Sequence, residues 1–142
     1  MKFTKIRNGY YRSENGFYIK GNGYRHMFTG KQVQADFWYI YDGEVTNNRK
    51  WIGGECTLKE AKAEVERMSK EYEIAYRVTV SRRTTDTEYM LDTMWNGVSK
   101  KGIGVIMKDV AQEFADGKIS EYRISVEQVN TKKTDVLNLG AI

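Results

Sequence analysis

The residue types that most often carry catalysis are scarce in this chain. His26 is the only histidine and Cys56 the only cysteine among 142 residues. A Ser-His-Asp triad would have to be built around His26, and one histidine with one cysteine falls short of the ligand set of a Cys/His zinc site. His26 stands in a Tyr-Arg-His-Met segment beside a turn, where a surface or stacking role is expected. The sequence therefore predicts a protein that is not an enzyme and needs no cofactor or metal.

Paired carboxylates keep a magnesium-dependent activity open as a minor alternative. The pairs are Asp86 with Glu88, Asp109 with Glu113, and Asp36 with Asp42. Asp36 and Asp42 flank one predicted strand at an even spacing, so both would lie on the same face of it. A nuclease site would still need a third ligand or a base, which the sequence does not place nearby.

Two adjacent lysines, Lys100 and Lys101, begin a predicted helix and could contact a phosphate with help from the helix dipole. The segment Gly102-Ile103-Gly104 that follows lacks the third glycine and the preceding strand of a dinucleotide-binding loop. No P-loop sequence is present either. The lysine pair is therefore a candidate phosphate contact and does not by itself indicate a nucleotide-binding fold.

The basic charge of the chain is concentrated near its start. The net charge is +4, and residues 1–56 hold nine Lys/Arg against five Asp/Glu together with twelve of the eighteen aromatics. Cations interleaved with aromatic rings suit a polyanion with stackable bases. An ordinary solvated surface over an aromatic core would give the same composition, so both interpretations stay open.

The chain has the composition of a water-soluble protein without a membrane segment. Its mean hydropathy is −0.66, and no apolar run approaches the ~20 residues that span a bilayer. The first residues lack the apolar stretch of a signal peptide, and a single cysteine agrees with a reducing compartment. A cytoplasmic location is the expectation.

Short strands and turns dominate the predicted first half. Asn-Gly recurs at residues 8–9, 15–16 and 22–23, and this dipeptide is the strongest short hairpin signal because a type I′ turn needs φ > 0 at both central residues. The strands predicted from these turns and from alternation are Tyr10–Glu14, Phe17–Gly21, Tyr24–Thr29, Asp36–Tyr41 and Arg49–Ile52, the last after a loop at Asn47-Asn48. In the fourth, Tyr39 and Tyr41 should point away from Trp38 and Ile40.

A capped amphipathic helix follows these strands. Thr57 and Glu60 have the spacing of a capping box, in which the Thr hydroxyl accepts a backbone N–H of the first turn. The apolar positions after the cap recur every three or four residues and are Leu58, Ala61, Val65, Met68 and Tyr72. One sheet face should be buried under this helix, and the other should expose aromatic and basic side chains.

The segment from the strands to this helix resembles a known DNA-binding family. Trp51-x-Gly53 followed by Thr57-x-x-Glu60-Ala61 looks like the three-stranded domain of plant Apetala/ethylene-response factors, and it is similar to the arm-binding domain of phage integrases and to small phage proteins on that plan. The resemblance covers about residues 3–72. In that family the helix packs on one sheet face, while Arg, Lys and Trp on the strands enter the DNA major groove. The DNA-facing candidates that it implies are Lys20, Arg25, Trp38, Arg49 and Trp51.

The second half is predicted to be a strand–helix–helix–strand unit. Alternation from Ile74 to Ser81 indicates a strand, and Thr85 with Glu88 repeats the capping-box spacing before an apolar set of Met90, Leu91, Met94 and Trp95. A second helix ends near Asp116-Gly117, and a last strand alternates over 122–127. Met90, Met94 and Trp95 could form a partner-binding groove or belong to the core.

The predicted fold class is α+β: a small antiparallel sheet backed by one helix, then the strand–helix–helix–strand unit. The expected organisation is an aromatic, basic module over 1–73, a second module over 74–130 that shares its core, and a tail over 131–142. Two strands alone are marginal, so either a shared core or a homo-oligomer is expected.

Two classes of function remain open at this point. The first is a non-enzymatic phage or mobile-element protein that binds nucleic acid or a nucleoprotein complex through the aromatic and basic sheet face. The second is a protein-directed inhibitor of a host defence nuclease, of the anti-CRISPR or anti-restriction type, which acts by steric occlusion. The positive net charge counts against mimicry of DNA.

Overall fold

The chain is an α+β protein that folds as two compact units, Met1–Glu73 and Ile74–Ile142. The computed structural model describes residues 1–47 and 49–139. The predicted Asn47-Asn48 loop therefore falls partly outside the described residues, because Asn48 is not among them. The last three residues of the predicted tail, 140–142, lie outside them as well.

The first unit contains a five-stranded antiparallel sheet and a separate two-stranded ribbon. Its strands are β1 (Phe3–Arg7), β2 (Tyr10–Ser13), β3 (Tyr18–Gly21), β4 (Tyr24–Arg25), β5 (Gln32–Val33), β6 (Trp38–Tyr41) and β7 (Gly53–Glu55). The sheet has the order β1-β2-β3-β6-β7, whereas β4 and β5 pair only with each other. The family resemblance implies three strands, and the sheet described here has five.

Two of the three Asn-Gly pairs connect neighbouring strands of the sheet. Gly9 lies between β1 and β2 with φ 77°, and Gly16 lies between β2 and β3 with φ 89°. No described residue other than glycine has a positive φ, so these turns are not of type I′, which needs the asparagine in that region too. The third pair leads from β3 into the ribbon.

The predicted helix in the first unit is confirmed as α1 (Leu58–Met68). The Thr57 hydroxyl caps it by accepting the Glu60 N–H at 3.1 Å. Its buried side chains, Ala61, Val65 and Met68, form one core cluster with Phe17, Ile19 and Ile40 from the sheet. Burial of this helix face against β3 and β6 fixes which side of the sheet is left uncovered.

The prediction of a strand at Arg49–Ile52 is wrong. Pairing with β6 begins only at Gly53, and Ile52 makes the last contact before it by donating its N–H to the Ile40 carbonyl at 2.7 Å. Arg49 instead donates its backbone N–H to the Thr46 carbonyl, which holds the chain in a loop there. The local composition favoured a strand, but the hydrogen bond between Arg49 and Thr46 holds the backbone in a turn.

Over its described residues the second unit contains a three-stranded sheet, one α-helix and a short 3-10 helix at Lys133–Asp135. Its elements are β8 (Tyr72–Thr84), whose first two residues belong to the first unit, β9 (Met90–Val98), α2 (Lys100–Ala115) and β10 (Ile119–Lys132). The strand order is β10-β8-β9. Its buried cluster is Val78, Val80, Val98, Ile106, Val110 and Ile119. The unit is thus strand–strand–helix–strand.

The predicted helix around Met90–Trp95 is wrong, because this segment is β9. It pairs antiparallel with β8, with Met94 opposite Thr79 and Trp95 opposite Val78. Successive strand residues point to opposite faces, so Trp95 packs against the buried cluster while Met94 is exposed. The supposed Met/Trp groove therefore does not exist as one surface.

The tail is attached to the second unit over its described part. Leu137 donates its N–H to the Gly97 carbonyl at 2.8 Å and accepts the Ser99 N–H at 3.1 Å, and Leu139 packs against the buried cluster. In the described ranges, neither helix has the length and apolar character needed to cross a bilayer.

Candidate functional site

The face of the first sheet that lies opposite α1 carries tyrosines and cations in register. Because Ile19 and Ile40 point into the core, their strand neighbours point the other way. Cross-strand pairing forms one row of Arg7, Tyr10, Lys20 and Tyr39, and a second row of Arg12, Tyr18 and Tyr41. We call these seven side chains the tyrosine face.

The cations of the tyrosine face sit against its rings. The Arg7 guanidinium lies 4.7 Å from the centre of the Tyr10 ring, and that of Arg12 lies 5.9 Å from Tyr18. Within the described ranges, Arg7, Arg12 and Lys20 form no ion pair with a carboxylate. Their charge is therefore available to an anion that approaches the face.

The loop between β6 and β7 covers one part of the tyrosine face. The Tyr10 hydroxyl accepts the Val45 N–H at 3.2 Å, and Tyr10 is 6% exposed. Burial raises the pKa of the Tyr10 phenol above 10.0, and the nearby Glu44 carboxylate raises the pKa further. Burial also raises the pKa of Tyr41. The face is therefore closed over Tyr10, and Arg7 and Arg12 remain exposed.

An aromatic cluster extends the open part of the face beyond β6. The Tyr39 ring lies 4.9 Å from the Phe37 ring and 5.5 Å from the Trp51 ring, measured between centres. Trp51 is 56% exposed. Gly54 leaves room for this arrangement, since a Cβ there would overlap Cε1 and Cζ of Phe37. Lys20 stands opposite Tyr39 on β3, so a cation adjoins the cluster.

Of the five residues implied by the family resemblance, two lie on or beside the tyrosine face and three do not. Lys20 lies on the tyrosine face, and Trp51 lies beside it, against Tyr39. Trp38 is on the helix side of the sheet, where it packs on the core and meets Tyr11 edge-on at 6.1 Å. Arg49 is a structural residue: its side chain is 1% exposed and bonds Asp42 at 2.7 Å and the Glu44 carbonyl at 2.6 Å. We therefore remove Trp38 and Arg49 from the candidate ligand contacts.

The remaining predicted contacts belong to the ribbon of the first unit and to the second unit. Arg25 is exposed on β4 of the ribbon, opposite Gln32. Lys100 and Lys101 are exposed in the first turn of α2 in the second unit, where the Ser99 hydroxyl caps the helix by accepting the Gly102 N–H at 3.1 Å. They keep the position predicted for a phosphate contact, at the exposed start of a helix.

Sequence reasoning missed Arg7, Arg12, Tyr18 and Tyr41 as members of one surface. The signal was present: the Asn8-Gly9 turn sets the register of β1 on β2, and alternation from Tyr10 then puts Arg12 on the same side. What was lacking was the pairing of β3 with β6, because sixteen residues (22–37) separate those strands in the chain.

A cavity of about 320 Å³ lies in the first unit beside the ends of β2 and β3. Its lining includes Arg7 and Lys20 together with the amides Asn8, Gln32 and Gln34, and none of the lining residues is acidic. Three of the carboxylates proposed for magnesium have other partners: Asp36 accepts from the Asn22 amide, Asp42 pairs with Arg49, and Glu113 pairs with Arg82. In the described part of the chain, no group of three His, Cys, Asp or Glu could hold a metal ion.

Comparisons with family models, curated proteins and solved structures give no match to this chain. The functional argument therefore depends on the geometry of the tyrosine face.

Proposed function

We propose that the first unit binds single-stranded nucleic acid on the tyrosine face. The observation that carries the proposal is the Tyr39–Trp51 ring pair with Lys20 directly across the strand from Tyr39. Flat rings accept stacked bases of any sequence, and cations beside them hold the phosphates that link those bases. A sheet surface that alternates rings and cations in register supplies both contacts along one strand of nucleic acid.

Single strands suit this surface better than a duplex. The rings of Tyr18, Tyr39 and Tyr41 are half-buried on a sheet, so they can meet unstacked bases but do not protrude to base edges deep in a groove. Duplex recognition, which the family resemblance implies, relies on side chains that reach into the major groove. Duplex DNA is therefore the comparison ligand.

The proposal covers a non-enzymatic accessory protein of a phage or mobile element, acting in the cytoplasm on nucleic acid or a nucleoprotein. Arg7, Arg12 and Lys20 supply sequence-independent affinity through release of counterions. Stacking on Tyr39 and Trp51 contributes about 1–3 kcal/mol per base.

The test is fluorescence anisotropy of labelled DNA and RNA single strands of about 12 nucleotides, with a DNA duplex beside them. Lys20→Ala and Trp51→Ala should each weaken single-strand binding. The matched controls are Lys59→Ala, an exposed lysine on α1, and Tyr89→Ala, an exposed aromatic of the second unit. These controls should leave affinity unchanged.

Absence of single-strand binding at low salt would overturn the proposal, as would a clear preference for the duplex. A protein-directed nuclease inhibitor would give the first of these outcomes with every variant. Capture of a nuclease by the intact chain, unaffected by Lys20→Ala and Trp51→Ala, would then identify the alternative function.

A further inference from the structure

The ribbon of the first unit holds two large apolar side chains out into solvent. Met27 is 87% exposed and Phe28 is 89% exposed, at the tip of the turn between β4 and β5. Tyr24 lower on the ribbon is 57% exposed. Single exposed apolar residues are ordinary, but two adjacent ones at the end of an ordered hairpin indicate a contact surface.

The turn that presents them is built by specific hydrogen bonds. The His26 N–H donates to the Lys31 carbonyl at 2.8 Å, and the Gly30 N–H donates to the His26 carbonyl at 2.9 Å. His26 Nδ1 accepts the N–H groups of Phe28 and Thr29, each at 3.3 Å. Gly30 has φ 67°, which a larger residue rarely adopts. These bonds fix the backbone of the turn from which Met27 and Phe28 project.

The ribbon is also fixed at its base. The Asn22 carboxamide oxygen accepts the N–H groups of Asp36 and Phe37, and its amide donates to the Asp36 carboxylate at 2.6 Å. Phe37 belongs to the aromatic cluster beside Tyr39. The base of the ribbon therefore adjoins the aromatic cluster at the open part of the tyrosine face.

The charge of the ribbon matches a polyanion. Residues 23–35 contain Arg25 and Lys31, both exposed, and no Asp or Glu. The nearest carboxylate along the chain, Asp36, is bonded to Asn22 at the base. An apolar tip between cations is the arrangement of side chains that insert between bases while cations hold the flanking phosphates.

We propose that Met27 and Phe28 insert between two bases of the bound nucleic acid and unstack them. This inference rests on the proposed function, because it assigns the ribbon to the same ligand that lies on the tyrosine face. The ring of Phe28 replaces one base as a stacking partner, and Met27 fills the adjoining space with a flexible apolar chain. Arg25 and Lys31 contact phosphates on either side.

The experiment uses the full chain and single-stranded DNA that carries 2-aminopurine, whose fluorescence rises when it loses its stacking neighbours. The wild type should raise this fluorescence at saturation. Met27→Ser with Phe28→Ser should abolish most of the rise and weaken binding roughly tenfold, whereas Phe28→Trp should keep it. The matched control is Tyr89→Ser with Leu91→Ser, two exposed apolar residues of the second unit. This control should leave both readouts unchanged.

Each outcome distinguishes the two proposals. Binding of the wild type with no rise in fluorescence overturns insertion and leaves the proposed function intact. No binding at all overturns both. Insertion is also overturned if the tip variant keeps the aminopurine signal but loses binding to vesicles of anionic phospholipid. The same holds if the tip variant keeps that signal but loses a captured protein partner.

Discussion

The Arg49 guanidinium bonds the Asp42 carboxylate at 2.7 Å, and this pair closes the loop that covers Tyr10. Arg49→Ala should lower the free energy of unfolding by about 3 kcal/mol, since it removes a buried guanidinium, leaves the partly buried Asp42 carboxylate without this partner and frees the loop. Arg49→Lys should also destabilise, because an ammonium cannot serve both Asp42 and the Glu44 carbonyl as the guanidinium does.

Urea unfolding of both variants, with the exposed Lys50→Ala as control, checks this prediction. Oligonucleotide affinity of the folded fraction should not change in Arg49→Lys. If Arg49→Lys kept full stability but lost affinity, Arg49 would be a ligand contact after all.

Because of Tyr10, the free energy of unfolding should fall as the pH becomes alkaline. Burial raises the pKa of Tyr10 above its unfolded value of 10.0, so the folded chain keeps this proton where the unfolded chain has released it. The stabilisation that results from this pKa difference is fully present below pH 10 and is lost as the pH rises through the pKa of the folded state. Tyr10→Phe should flatten this loss, at a cost of about 1 kcal/mol for the hydrogen bond to Val45.

Unfolding midpoints on either side of pH 10, followed together with tyrosinate absorbance, measure the effect. The exposed Tyr24→Phe is the control and should keep the wild-type pH dependence. Burial also raises the pKa of Tyr41, so part of the alkaline loss should remain in Tyr10→Phe. An equally steep loss in Tyr10→Phe would contradict the assignment to Tyr10.

Local signals predicted α1 and the strands β2, β3 and β6 of the first unit, because these elements are short and marked by residues close in sequence. The Thr57 cap needs only Glu60 three residues on, and alternation alone separated Tyr39 and Tyr41 from Trp38 and Ile40. The α+β class follows from the same signals. The sequence thus predicted the sheet face to which each of these side chains points, but it did not predict how exposed each side chain is in the folded protein.

The predictions for Arg49 and for the Met90–Trp95 segment failed for one physical reason. Their outcome depends on contacts with residues that are not neighbours in the chain. The residues that flank Arg49 in the sequence do not indicate whether its guanidinium will pair with Asp42 or face solvent. The spacing of Met90, Met94 and Trp95 fits a helix and a strand equally, and pairing with β8 decides between them. Long-range pairing also brought Lys20 beside Tyr39.

The strand assignment of β9 makes opposite predictions for two neighbouring residues. Trp95→Ala should destabilise by about 3 kcal/mol, because its ring packs against the buried cluster of the second unit. Met94→Ala should change stability by less than about 0.5 kcal/mol, because this side chain is 55% exposed on the other face. Urea unfolding measures both, and similar large losses at both positions would contradict the alternation of a strand.

Gly54 and Gly104 form a matched pair for a test of the aromatic cluster. A Cβ at Gly54 would overlap the Phe37 ring, so Gly54→Ala should displace that ring and cost about 1–3 kcal/mol. A Cβ at Gly104 in α2 meets nothing within 4 Å, and Gly104→Ala should stabilise by about 1 kcal/mol. Thermal unfolding and the aromatic proton shifts of Phe37 and Tyr39 check this. Unchanged shifts in Gly54→Ala would show that the cluster does not depend on that glycine.

The three cations of the tyrosine face predict how binding responds to salt. If Arg7, Arg12 and Lys20 each meet one phosphate of a single strand, the logarithm of affinity should fall with the logarithm of salt concentration with a slope of about −2. Arg12→Ala should reduce that slope by about 0.7, because one fewer counterion is displaced. Lys59→Ala on the solvent side of α1 removes the same charge from the opposite side of the sheet and should leave the slope unchanged. Anisotropy titrations over a series of salt concentrations give both slopes. A loss of affinity in Arg12→Ala at constant slope would mean that Arg12 acts on the Tyr18 ring and not on a phosphate, which its 5.9 Å approach to that ring would also permit.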